Sequence, residues 1–414
     1  MLATSERDVQ RRVKKSIANT FRIPCALLLI ALEFTNLATF LVDGGNSPGT
    51  NRHSSYAFQF AAYGIAGLVL LLDREAMRRI IRKPIVRWAF VTLMLLTWAM
   101  LVRTFNVPIG YTDYLLLRTF GLQVNSIGLL LTCIIIFDDP YVLQLTKRAV
   151  GIATLVGVLL NIYDFIRPGT FSVIYGRAAG LYMQPNSSGM ALVFGCLIGL
   201  TVVRGRWGRE AFLLCTLVGV VVTFSREAVL AFGVVLIAGV WASALSPRRL
   251  AVVAGIGIGM FIAFNVAPAI NESRILTSDA ASRLTLQWSD ASAKDRARLA
   301  EKTLERFEEA PLMGEGFGTT LYWQDSQSHN AYLELLADCG ILGVLVIPGL
   351  ILSINRGTWD SYAFAIIVIL WGFFNHNLLL DFFGLISLAI EADEPNKLQD
   401  VGAMAFSNLG YRTS

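Results

Sequence analysis

Residues 186–245 read NSSGMALVFGCLIGLTVVRGRWGREAFLLCTLVGVVVTFSREAVLAFGVVLIAGVWASAL. Three apolar runs stand out, near 186–203, 211–224 and 228–245. Between the first two lie Arg204, Arg206 and Arg209, and between the last two lies the tight turn Ser225-Arg226-Glu227. Runs of this length and apolarity cross the hydrocarbon core of a bilayer as helices. Similar runs recur on either side, near 23–42, 56–72, 85–102, 114–137, 149–166, 250–268, 331–353 and 361–378. A shorter run at 382–390 reads as a twelfth span or a re-entrant piece.

The pattern predicts an all-α polytopic membrane protein of eleven or twelve transmembrane helices with one large, partly helical outer loop. The divisions expected are a basic cytoplasmic N-terminus (1–22), a transmembrane bundle (23–268), the outer loop (269–330), C-terminal transmembrane helices (331–390) and a cytoplasmic tail (391–414). Of the 414 residues, 55% are hydrophobic and only 16% charged. A soluble domain carries about 25% charged residues, so a soluble enzyme is excluded. No cleavable leader is expected, because the run after the basic N-terminus is long enough to stay as a span.

The net charge of +5 does not indicate nucleic acid. With the N-terminus in the cytoplasm and the spans alternating, 22 of the 35 Lys and Arg fall on the cytoplasmic side. The short outer loops carry 5 of them and the loop 269–330 carries 7. That is the positive-inside pattern of a membrane topology. The five cysteines lie in or beside apolar runs without CxxC spacing and read as small core residues. There is no GxSxG, HExxH or Walker motif. No metal and no cofactor are expected.

Within 269–330, Ser292-Ala293-Lys294-Asp295 resembles a capping box, and Ala293, Ala297, Ala300, Leu304 and Phe307 recur on one helical face. Pro311 stops that helix. It reads either as an amphipathic helix resting on the bundle or as a lid carrying a functional arginine.

Four basic groups fall on the outer side: Arg177, Arg226, Arg296 and His329. Arg226 sits in a connection of a few residues at the head of two spans, where a charge is costly unless paired or facing a wet cavity. It reads as a snorkelling side chain or a partner of Glu227, or as a fork for a lipid diphosphate, whose oxygens suit guanidinium. His329 reads as a cap residue or as a base for a hydroxyl, since imidazole titrates near 6.5. His376, followed by Asp381, is a further polar group for the same cavity, whereas His53 reads as surface. Glu33 is the loose candidate for an acid inside a span and reads as hydrogen-bonded in the bundle or facing a cavity. Gly314-Glu315-Gly316-Phe317-Gly318 reads as a flexible turn returning the chain to the membrane.

Four segments together resemble the O-antigen ligase and polymerase superfamily. They are Arg177-Ala178-Ala179-Gly180 with Pro185-Asn186; Ser225-Arg226-Glu227-Ala228; Arg296 ahead of Pro311-Leu312-Met313-Gly314-Glu315-Gly316; and His329-Asn330-Ala331-Tyr332-Leu333 with Gly340 and Gly343. Arg298 and Arg283 also stand near the arginine position of the third segment, and the interval to Gly314 favours Arg296.

The resemblance implies a multi-pass glycosyltransferase of the bacterial inner membrane whose active site faces the periplasm. Its donor would be a glycan on undecaprenyl diphosphate. Its acceptor would be the lipid A core or another glycan, with membrane lipids as surroundings. Arg226 and Arg296 would stabilise charge on the departing diphosphate, and His329 would orient or deprotonate the acceptor hydroxyl. Arg177 and Arg298 are further substrate-binding candidates, and Asn330 and Tyr332 would support His329. Ligase and polymerase share these motifs. A polytopic transporter or flippase is the reading from another class, and a protein O-oligosaccharyltransferase would use the same donor chemistry.

Overall fold

The structure, a computed structural model, describes residues 6–43, 55–106, 113–241, 255, 291–324 and 328–393. The expected span 250–268, Arg283, His53 and the tail beyond 393 lie outside the described residues, apart from residue 255 of that span. The described residues form sixteen α-helices and no strand. These are α1 (Glu6–Leu28), α2 (Leu37–Asp43), α3 (Ser55–Leu72), α4 (Arg74–Arg82), α5 (Pro84–Asn106), α6 (Asp113–Phe137), α7 (Pro140–Ile166), α8 (Pro185–Val202), α9 (Arg206–Val221) and α10 (Arg226–Trp241). After 290 come α11 (Ala291–Glu309), α12 (Thr319–Gln324), α13 (Ala331–Cys339), α14 (Val346–Ile354), α15 (Trp359–Phe374) and α16 (Phe382–Asp393).

Six stretches among the described residues are long and apolar enough to cross a bilayer: Ser16–Phe34, Pro84–Asn106, Tyr114–Phe137, Pro140–Ile166, Pro185–Val202 and Ala331–Ile354. Phe58–Leu72 and Trp359–Phe374 are shorter apolar helices. The chain is therefore an all-α, multi-pass membrane protein. Helix α8 is its axis. Pro185 and every residue from Ser188 to Leu200 are buried, packed among α7, α9, α10 and α16. Phe194 of α8 meets Trp371 at 5.4 Å between ring centroids, and Trp371 stacks on Phe383 at 5.1 Å.

The first span differs from its sequence expectation. Helix begins at Glu6, so Arg22 lies inside α1 and is only 1% exposed, facing the charges of Asp138, Asp73 and Asp139. The helix then widens into one π turn, Leu29–Phe34, and breaks at Asn36, whose φ is 60°. Two long-range bonds fix this break. Asn36 Nδ2 donates to the Leu181 carbonyl at 2.9 Å, and the Tyr182 hydroxyl donates to the Phe34 carbonyl. A single expected span, 23–42, is thus two helices joined at a corner that belongs to the site described below.

The run at 382–390 is helix α16, buried from Phe382 to Glu391. At 1.5 Å per residue it is roughly 18 Å long, short of the ~30 Å core. The chain leaves α15 at Phe374, turns at 375–381 and re-enters the bundle.

One end of the bundle is locked by charge. Asp138 accepts from Arg79 at 2.7 Å and from Lys83 at 2.9 Å, and Lys83 also pairs with Asp393 at the end of α16. Arg356 pairs with Glu391 nearby in sequence on α16, and with Asp360 at 3.6 Å.

Candidate functional site

The turn between α9 and α10 is packed directly on α8. A Cβ on Gly189 would stand 2.6 Å from Ala228 Cβ and 3.1 Å from Thr223 Oγ1, so a glycine is required for the approach. Phe224 adopts φ 50°, and the Ser225 hydroxyl accepts from Ala228 N at 3.3 Å at the start of α10. This turn carries Arg226, which is half-buried, and Glu227, which is buried.

Arg177 is spent on holding that turn. It is 4% exposed; its Nε donates to the Thr223 carbonyl at 3.1 Å, and its Nη2 to the Phe224 carbonyl at 3.3 Å and to Asn186 Oδ1 at 2.8 Å. The resemblance offered Arg177 for substrate binding. In the structure it braces Asn186 and the Arg226 turn instead.

Helix α11 brings its arginine to the same place. Arg296 Nη1 donates to Glu227 Oε1 at 3.0 Å, joining α11 to the head of α10. Arg298, two residues on, points elsewhere because successive positions i and i+2 do not share a helix face. It is exposed and lies 3.6 Å from Asp295. Of the two described arginines offered by the sequence, the structure brings Arg296 to the site and leaves Arg298 outside it.

The chain between α11 and His329 is pinned to α13. Gly314 has φ +74°, and a Cβ there would meet the Asp338 carbonyl oxygen at 2.4 Å. Glu315 N donates to the Ala337 carbonyl at 2.9 Å, and Phe317 N to the Ala99 carbonyl of α5 at 2.9 Å. Asp338 accepts from Gly318 N and Thr319 N at 3.1 and 3.0 Å. The Gly-rich turn is therefore a clamped connection rather than a loose one.

His329 stands in the left-handed region, φ 55°. That conformation costs a residue with a Cβ about 1 kcal/mol or more, so its neighbours must impose it. They do so from both sides. Ser328 N donates to Glu334 Oε1 at 3.2 Å, and Asn330 N donates to Ser328 Oγ at 3.2 Å. Asn330 caps α13, accepting from Tyr332 N at 3.0 Å and Leu333 N at 3.1 Å. The Tyr332 hydroxyl donates to the Ile369 carbonyl of α15 at 3.4 Å, and its ring packs on Phe373. Asn330 thus caps the helix that follows the histidine, and Tyr332 ties that helix to α15.

These elements enclose a cavity of about 370 Å³. Arg296, Glu227, His329, His376 and Asp381 line it. Glu33, Asn36 and Gln184 line it from the broken first helix and the loop before α8. The His329 and His376 rings meet edge to face at 5.0 Å. Asp381 accepts from Asn375 Nδ2 at 3.3 Å. Arg226 does not line the cavity; its neighbour Glu227 does. Burial, and then the positive charge of Arg296, hold the His329 imidazole below its ordinary pKa, so it is neutral at neutral pH and able to accept a proton.

The sequence offers His376 and Glu33 as further polar groups and Glu227 only as a partner of Arg226, and gives Asn36 and Gln184 no signal beyond polarity beside an apolar run. Among the described residues, no group of three or more His, Cys, Asp or Glu has the arrangement of a metal site.

No match is found among curated proteins or among solved structures. Residues 211–348 match the family model described as O-antigen ligase. That match, over residues that include the Arg226 turn, the Arg296 helix and His329, supports the resemblance to the O-antigen ligase and polymerase superfamily.

Proposed function

We propose that this protein moves a glycan from undecaprenyl diphosphate to an acceptor hydroxyl at the periplasmic face of the bacterial inner membrane. The observation that carries the reading is the meeting of Arg296 and His329, from opposite ends of a clamped loop, in one cavity. The acceptor oxygen bonds to the anomeric carbon while the anomeric carbon–oxygen bond to the diphosphate breaks. The electron pair leaves with the lipid diphosphate, and the hydroxyl proton passes to neutral His329. Arg296, in the cavity, neutralises the charge that builds on the leaving group, a role worth a few kcal/mol per donor, and Arg226, on the turn beside Glu227, adds positive charge behind the lining. Glu227 holds Arg296 in place, and the incoming diphosphate takes over that contact. The cations needed for a diphosphate are supplied by guanidinium, so the reaction needs no metal.

The favoured acceptor is the lipid A core, with a second lipid-linked repeat unit, the polymerase reaction, as the alternative. Deletion of the gene in its host, followed by gel analysis of surface polysaccharide, separates the two. Loss of all long-chain glycan from lipid A with polymer accumulating on the carrier identifies a ligase. Loss of ladder length with single repeats still attached identifies a polymerase. Arg226→Ala and His329→Ala, at normal membrane levels, fail to complement. Full complementation by both would sink the assignment and bring the transporter reading forward.

A further inference from the structure

The cavity lining includes groups that the transfer chemistry leaves unused. Glu33 sits in the π turn Leu29–Phe34, lines the cavity, and is 1% exposed. The Gln59 side chain reaches toward its carboxylate, yet neither carboxylate oxygen has a hydrogen bond of normal geometry among the described residues. Gln59 also accepts through Oε1 from Asn125 Nδ2 at 2.7 Å, which orients its amide. A buried carboxylate short of donors is costly in a membrane bundle, and such groups face cavities or partners. π turns inserted in helices are frequent at functional sites. Here the turn and the corner after it deliver Glu33 and Asn36 to the cavity lining.

Asn36 and Gln184 line the cavity with Glu33, and so do Tyr182 and Phe383, whose rings lie 5.6 Å apart. A carboxylate, two amides and aromatic surface match a neutral sugar ring, which offers hydroxyl donors on its edge and C–H groups on its face. They do not match a diphosphate, which a carboxylate repels.

We propose that Glu33 is a sugar-binding residue, accepting hydrogen bonds from hydroxyls of the glycan while its diphosphate lies against Arg296. The proposal rests on the donor reading above and assigns the glycan end of the same ligand. It makes Glu33 a determinant of which sugar is taken, separate from the residues that stabilise the leaving group.

The test compares two lipids on the purified full-length protein. One is sugar-free undecaprenyl diphosphate, and the other is the lipid-linked glycan extracted from the deletion host. Glu33→Gln is nearly isosteric, which protects the fold, and Glu33→Ala removes the acceptor altogether. A hydrogen bond to a charged group corresponds to roughly tenfold or more in affinity. Glu33→Ala should weaken binding of the lipid-linked glycan by about that factor, with Glu33→Gln weakening it less, while sugar-free lipid binds as to wild type. Equal loss for both lipids would make Glu33 a structural residue, and no loss for either would remove it from the site. Both results overturn the proposal. Failure of wild type to bind either lipid would instead overturn the donor reading itself.

Discussion

At one end of the bundle Lys83 stands between Asp138, at 2.9 Å, and Asp393, while Arg79 reaches the same Asp138 at 2.7 Å. At the cavity, Arg296 meets Glu227 at 3.0 Å, and the carboxylate of Glu33 lacks normal hydrogen bonds among the described residues. Both regions hold acids and bases inside an apolar bundle. In the first, opposite charges share partners and tie α4, α6 and α16 together. In the second, charges border about 370 Å³ of open space. Buried charges that pair with one another fasten a bundle, whereas charges that face a cavity are placed to meet a ligand. The stability and the activity of this protein should accordingly respond to different substitutions.

The largest effect on stability is expected from Asp138→Asn. It removes the carboxylate shared by Arg79, which is half exposed and near Asp73, and Lys83, which keeps Asp393, and should cost about 2 kcal/mol. Thermal unfolding in detergent would show it, while the folded fraction keeps its turnover. If Asp138→Asn abolished turnover per folded molecule, the division between the two ends would be wrong. Next comes Arg296→Lys, which keeps the charge but loses the planar fork and should lower turnover on the order of tenfold or more with little change in unfolding temperature. Arg298→Ala, on the exposed face of the same helix, should stay within about twofold. Equal losses at the two positions would mean that α11 acts as a basic surface and not through one guanidinium.

Asn330→Ala removes the cap of α13 and should cost about 1 kcal/mol. Because the cap also holds the left-handed His329, turnover should fall more than binding of the donor lipid, a split that steady-state kinetics would resolve. The smallest effect concerns pH. The folded-state pKa of His329 lies below its ordinary value, because burial and Arg296 both disfavour the imidazolium. Turnover should therefore be complete at neutral pH and fall only as pH drops through that lowered value, below about 6.5. The unfolded chain binds the proton more tightly there, so the histidine's contribution to stability declines over the same range. Glu227→Gln leaves the Arg296 charge less compensated and should move the acid limb to still lower pH. An unmoved or raised limb would show that Arg296 does not govern the histidine.

Much of the architecture can be read from residue order, since length and apolarity are local properties. The runs at 85–102, 114–137 and 186–203 all correspond to long apolar helices. Arg296 and His329 were also legible, through a motif order that survives the fold. What the sequence concealed was pairing at a distance. The Arg296–Glu227 contact joins residues 69 apart, and Asn36 meets Leu181 145 residues away. Arg177 shows the converse. Its residue type suits a diphosphate, but two carbonyls and Asn186 take up its guanidinium, and only three dimensions reveal that. The π turn at Leu29–Phe34 has no composition of its own, so a run that reads as one span hides the corner that places Glu33.

The fastening at Lys83 has a consequence for how the protein is made. Its partners Asp138 and Asp393 lie on either side of nearly the whole bundle in chain order, the second of them 310 residues from the lysine. During synthesis Lys83 meets Asp138 early and waits for Asp393 until the last described helix has been inserted. That helix also brings Phe382 and Phe383 to the cavity wall. Closure of the charged clasp and completion of the cavity are therefore the same event, and a nascent chain stopped short of α16 has all the residues that match the O-antigen ligase family but no finished pocket to put them in.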